Sequence, residues 1–145
     1  MIIERIETLG FTGTEVARSI ALATLAQNSD SVMKSPLIEG LLDRARREQK
    51  ALVLEFSGNF CSACIRLERE TIENPQVQKA LENVIFCKIM VEKNRLAAHQ
   101  FHIHAIPQLR FLSPEGEIVS EDAGVISVDR MLDHLRRLRG LKTEN

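Results

Sequence analysis

Residue patterning in this chain predicts an α/β sandwich: helices packed on a mixed sheet. Three observations carry the prediction. Residues 51–56 and 84–91 are apolar runs, each interrupted by one charge, of the kind that suits strands buried on both faces. Segments with apolar residues at helical spacing stand before, between and after those runs. Two further strand-like runs, residues 108–112 and 117–120, flank Ser113-Pro114-Glu115-Gly116 and read as a hairpin. The order is helix, strand, helix, strand, helix, hairpin, helix, which calls for a sheet with both parallel and antiparallel neighbours.

The chain has 145 residues, 44% hydrophobic and 27% charged, with a formal net charge of -1. One domain with a core that needs no staples fits that length. A balanced charge argues against nucleic acid or an anionic membrane as the main partner. No apolar run approaches the roughly 18–20 residues of a membrane span. Glu4 and Glu7 lie where a secretory signal would carry positive charge, and Arg18 and Ser19 interrupt the apolar stretch from Val16 to Ala26. The chain as written therefore reads as cytoplasmic. The alternative is a periplasmic or exported protein whose leader has been removed.

Residues 15–27 read as a helix, with Val16, Ile20 and Ala23 on one side, and the polar residues 28–31 as a hinge. This divides the chain into an N-terminal helical extension, 1–34, and an α/β domain, 35–145. Ser35-Pro36 is an N-cap followed by proline at the first helical position, where a missing N–H costs nothing. Leu37, Ile38, Leu41, Leu42 and Ala45 form the apolar stripe of that helix, with Arg44, Arg46, Arg47 and Lys50 toward water. Ser57-Gly58-Asn59 is a turn after the first strand. Residues 65–71 look helical, and Asn74-Pro75 restarts a helix carrying Val77, Ala80 and Leu81. Residues 94–101 form a short helix. Ser127 caps the last helix, whose Val128, Met131, Leu132, Leu135 and Leu138 keep helical spacing.

Three cysteines are too few for a disulfide-built scaffold, and at least one cannot pair within the chain. Cys61-Ser62-Ala63-Cys64 sits at a strand-to-helix junction. There Cys61 meets the unpaired N–H groups and dipole of a helix start, which stabilise a thiolate. Cys64, one turn later, is placed to resolve a mixed disulfide formed at Cys61, so the pair can pass two electrons. Ser62 and Ala63 add no charge, which predicts a moderately lowered thiol pKa and a reducing poise. Two other readings stay open from the residues alone. One is half of a zinc site completed by Cys87 and a histidine; the other is a pair of packed structural cysteines.

The stretch from 51 to 138 resembles the thioredoxin superfamily. An apolar strand leads through Glu55 and Phe56 into Ser57-Gly58-Asn59-Phe60-Cys61-Ser62-Ala63-Cys64, and Ile106-Pro107 opens a later strand in Ile106-Pro107-Gln108-Leu109-Arg110-Phe111. The helix ending Arg46-Arg47-Glu48-Gln49-Lys50 is most similar to that of the thioredoxin-like domains of thiol:disulfide interchange proteins. The resemblance implies a three-layer sandwich and a thiol–disulfide oxidoreductase that reduces or isomerises protein disulfides. It implies Cys61 as nucleophile, Cys64 as resolving thiol, and a cis Pro107 facing them with the Ile106 backbone open to an extended substrate. Glu55 takes the place of the family's buried acid, which relays the proton that Cys64 loses, and Lys88 that of its paired lysine. A plain interior ion pair of Glu55 and Lys88 is the structural alternative.

Phe60, Ala105 and Ile106 would form an apolar rim for the partner, with Gly124 beside it either as a close approach or as a turn. No cofactor is implied beyond the redox-active Cys61–Cys64 disulfide. The implied partners are disulfide-containing protein substrates and an electron-donor protein. Ser57 and Phe60 stand where thioredoxins usually carry tryptophan, and Ser62-Ala63 where they carry Gly-Pro, so the housekeeping thioredoxin itself is not expected. A protein-binding module with secondary redox activity is the alternative function, suggested by the extra N-terminal segment. His99, His102 and His104 read as solvent-facing histidines in preference to a metal site. Cys87 reads as a buried thiol, and the basic residues of 44–50 and 136–142 as solvated helix faces.

Overall fold

In a computed structural model, residues 34–143 are described. The chain divides into two compact units, Met1–Lys34 and Ser35–Asn145. The helix read at 15–27 and the hinge at 28–31 lie outside the described residues.

Helix α1, Pro36–Glu48, starts where expected: Ser35 Oγ accepts the Ile38 N–H at 3.4 Å, and Pro36 opens the first turn. It ends at Gln49, whose left-handed backbone (φ 53°) returns its N–H to the Ala45 carbonyl. Strand β1, Leu52–Ser57, is buried at every position, as its apolar run interrupted only by Glu55 suggests. Next come α2 (Ser62–Leu67), a π-helical turn (Glu68–Ile72), α3 (Pro75–Leu81), β2 (Ile85–Met90) and α4 (Arg95–Gln100). Strands β3 (Gln108–Leu112) and β4 (Ile118–Ala123) precede the closing helix α5 (Val128–Thr143).

The sheet order is β2-β1-β3-β4, with β1 parallel to β2 and antiparallel to β3. Side chains alternate across β1. Leu52, Leu54 and Phe56 enter a core with Ile38 and Ala45 of α1 and Ala97 of α4. Val53 enters the opposite core, with Leu67 of α2, Val77 of α3, and Met131 and Leu135 of α5. Burying both sheet faces under helices makes the three-layer sandwich expected from the sequence. Glu55 shares the face of Val53, the one covered by α2.

Two element boundaries differ from expectation. The helix read at 65–71 is an α-turn followed by a π-helical turn, in which Thr71 Oγ1 donates to the Ile126 carbonyl at 2.5 Å. The fourth strand reaches Ala123 where the pattern stopped at Ser120, because Ser120 and Asp122 face α5 through polar contacts. Among the described residues no helix is long and apolar enough to cross a membrane.

Candidate active site

The buried β1 delivers the chain through Gly58-Asn59-Phe60 to Cys61, which caps α2. Cys61 is extended, and its sulfur accepts the Cys64 N–H at 3.2 Å. The two cysteines are joined in a disulfide with Cα atoms 5.3 Å apart. Cys64 is 2% exposed, whereas Cys61 is only half-buried. An incoming sulfur therefore reaches Cys61 first, and on reduction the helix start favours its thiolate.

Phe60 is fully exposed and holds a left-handed backbone (φ 54°). Ile106–Pro107 is cis, Pro107 is buried, and its carbonyl accepts the Gly124 N–H at 3.0 Å. Among the described residues the Ile106 backbone has no hydrogen-bond partner. A Cβ built on Gly58 would lie 2.6 Å from Ile106 Cδ1, so the loop before Cys61 and the residue before Pro107 touch. Ile106 thus lies against the loop that carries Phe60 into the motif. Gly124 has φ 78° and open space where a Cβ would stand, so of its two readings the turn is the one found.

Glu55 and Lys88 are cross-strand neighbours in the parallel β1–β2 register. The ion pair expected between them is not what Lys88 forms: its Nζ pairs with the Glu68 carboxylate. That bond, more than any other influence, holds the ammonium's pKa above its ordinary value. Glu55 is 1% exposed. Burial pushes its pKa up to about 7, helped by the negative charge of Glu68 and a hydrogen bond with it, while Lys88 pulls the other way. A bond between two carboxyls needs a proton on one of them; without it, Glu55 Oε2 has no partner. Glu68 follows Cys64 by four residues and its N–H bonds the Cys64 carbonyl, so the acid stands one helical turn past Cys64. Sequence reasoning missed Glu68. The available signal was that i,i+4 spacing from Cys64.

Cys87 is free and half-buried on β2, and burial pushes its thiol pKa up. His99, His102 and His104 line a shallow hollow with Arg95. No group of three or more His, Cys, Asp or Glu side chains among the described residues is placed to hold a metal ion. In the basic cluster of α1, Arg44 pairs with Glu48 at 2.6 Å on an exposed face, as a solvated helix surface does.

The thioredoxin-like family model matches residues 33–114. Curated relatives include the thiol:disulfide interchange protein DsbD of Pseudomonas fluorescens, 25% identical over 111 residues, covering 73% of this chain and 18% of the relative. DsbD of Klebsiella pneumoniae is 29% identical over 104 residues, covering 66% and 17%. The chain thus spans about a fifth of the length of the curated relatives it matches. Among solved structures, a Thermus thermophilus thioredoxin superposes with TM-score 0.62 at 18% identity, covering 70% of this chain and 82% of that one. The reduced C-terminal domain of Neisseria meningitidis DsbD gives 0.58 at 17% identity, covering 71% and 95%. Those two likenesses concern the fold, whereas the family model spans more than half of the sequence, including both cysteines and the cis-proline: the chain belongs to the thioredoxin-like family.

Proposed function

We propose that the chain is a thiol–disulfide oxidoreductase that reduces or isomerises disulfides in protein substrates. The observation that carries this reading is the Cys61–Cys64 disulfide at the start of α2, with Cys61 accessible and Cys64 buried. In the reduced protein the Cys61 thiolate attacks a substrate disulfide. One substrate sulfur stays bonded to Cys61, and the other leaves as a thiolate and takes a proton. The Cys64 thiol then loses its proton and attacks the Cys61 sulfur. The Cys61–Cys64 bond forms, the second substrate thiolate departs, and two electrons have passed to the substrate. With a pKa of about 7, Glu55 suits the role of proton acceptor for Cys64, assisted by Glu68. The open Ile106 backbone beside the exposed Phe60 suits an extended substrate segment. The disulfide takes the place of a bound cofactor, and an electron-donor protein regenerates the dithiol.

The test is insulin-disulfide reduction with a chemical thiol as donor. The protein should speed it, Cys61→Ser should abolish the effect, and Cys64→Ser should accumulate a mixed disulfide through Cys61. A titratable Cys61–Cys64 pair without exchange activity would overturn the reading. The potential of the pair sets the direction: near about -270 mV it is a reductant, near about -120 mV an oxidant.

A further inference from the structure

We propose that Glu92 is a positioning residue for partner docking: its carboxylate fixes the Gly58-Asn59-Phe60 segment so that Phe60 and Cys61 meet a protein substrate in one orientation. The proposal rests on the disulfide-exchange reading and adds the residue that orders its docking edge.

Glu92 lies two residues beyond the end of β2. The Val91 N–H bonds the Ser57 carbonyl at 2.9 Å, which brings Glu92 alongside the loop, and Glu92 Oε1 accepts the Asn59 N–H at 2.7 Å. A backbone N–H held by a carboxylate is among the stronger hydrogen bonds of a protein. The same oxygen lies 2.6 Å from where a Cβ on Gly58 would stand, and Ile106 Cδ1 is equally close. Gly58 is therefore the point where the loop, Glu92 and the residue before Pro107 close on one another, and a methyl group there would displace the ends of the Glu92 and Ile106 side chains.

The next residue but one, Phe60, holds φ 54° with its ring fully exposed. A left-handed conformation is disfavoured for a residue with a Cβ, and it persists where the surroundings over-determine it. The exposed ring makes no packing that could do so. The bond from Asn59 to Glu92 fixes the residue before Phe60, as the disulfide fixes Cys61 after it. Because Glu92 holds backbone two residues before Cys61, its removal should disturb how a partner is received more than how a sulfur is attacked.

The experiment compares wild type, Glu92→Ala, Glu92→Gln and Gly58→Ala, each reduced and assayed with insulin and with oxidised glutathione. Glu92→Ala should raise KM for insulin about tenfold, the size of one charge-assisted hydrogen bond. The ratio of insulin to glutathione rates should fall with it. Glu92→Gln keeps an oxygen acceptor and should restore most of that ratio, while Gly58→Ala should reproduce the defect by pushing Glu92 and Ile106 away. An unchanged ratio in Glu92→Ala overturns the proposal. So does an equal loss on both substrates together with a lowered melting temperature, which would make Glu92 a general structural support. A wild-type chain inert toward both disulfides would instead overturn the oxidoreductase reading and this proposal with it.

Discussion

The Glu68 carboxylate pairs with the Lys88 ammonium and stands close enough to the buried Glu55 to raise the pKa of that acid. An acid on a central strand is thereby linked to the wet side of the molecule through two side chains: Lys88 is 43% exposed, Glu68 28% and Glu55 1%.

This arrangement makes stability pH-dependent. The folded pKa of Glu55, about 7, exceeds its ordinary 4.5. The folded state thus binds the proton more tightly, and its advantage is complete below about pH 4.5 and lost as pH rises through about 7. At 1.36 kcal/mol per unit the loss reaches up to about 3 kcal/mol. Glu55→Gln is neutral at every pH and should flatten the profile, being more stable than wild type above pH 7. Urea denaturation across this range, with the disulfide intact, measures it; parallel profiles for the two proteins would contradict the assignment.

Much of the site could be read from local pattern. Cys61 and Cys64 announce themselves by spacing, the Ile106-Pro107 dipeptide through the family resemblance, and β1 by an apolar run that suits double burial. What could not be read depends on side chains meeting across elements. Lys88 has two acids within its reach, and only the path of α2 and its π-helical turn decides that Glu68 is the ion-pair partner. Strand β4 looked short because its inward positions, Ser120 and Asp122, are polar. Apolar alternation cannot report a strand whose buried contacts are hydrogen bonds. No local pattern marks Glu92, because its bond to Asn59 spans 33 residues of sequence.

The polar seam at β4 should fail in acid. Asp122 accepts from Arg130 Nε at 2.6 Å and meets His134 Nε2 at 2.8 Å, while His134 Nδ1 lies 2.8 Å from Ser120 Oγ. The imidazole stacks on Phe111. Burial alone would raise the Asp122 pKa; the bonds to His134, the Ala123 N–H and Arg130 outweigh it and hold it below 3.8. A depressed carboxyl pKa contributes stability above its unfolded value that is lost as pH falls through the folded one. Asp122→Asn should cost about 1–2 kcal/mol at pH 7. That cost should vanish below the wild-type transition, as chemical denaturation at pH 7 and pH 3 would show.

Thr71 ties the π-helical turn to the segment before α5, its hydroxyl donating to the buried Ile126 carbonyl. Thr71→Val keeps the shape and removes the donor, leaving the carbonyl without it. The expected loss is about 1–3 kcal/mol. The oxidised protein should show it as a lower urea midpoint with an unchanged m-value. A midpoint equal to wild type would mean that water or another donor replaces the hydroxyl.

The charges around Glu55 offer a signed test of the proton transfer proposed for it. Glu68 raises the Glu55 pKa through its charge and its hydrogen bond, and Lys88 lowers it. Glu68→Gln removes the charge and should move the Glu55 titration below 7. Lys88→Met removes the opposing cation, and with it the partner of the Glu68 carboxylate, so the titration should move above 7. Carboxyl carbon shifts of labelled Glu55, followed against pH in the oxidised protein, read both variants directly. The inflection in the pH dependence of insulin reduction should move in the same two directions if Glu55 takes the proton from Cys64. Opposite carboxyl shifts with a stationary rate profile would keep the electrostatic network and remove Glu55 from the proton transfer.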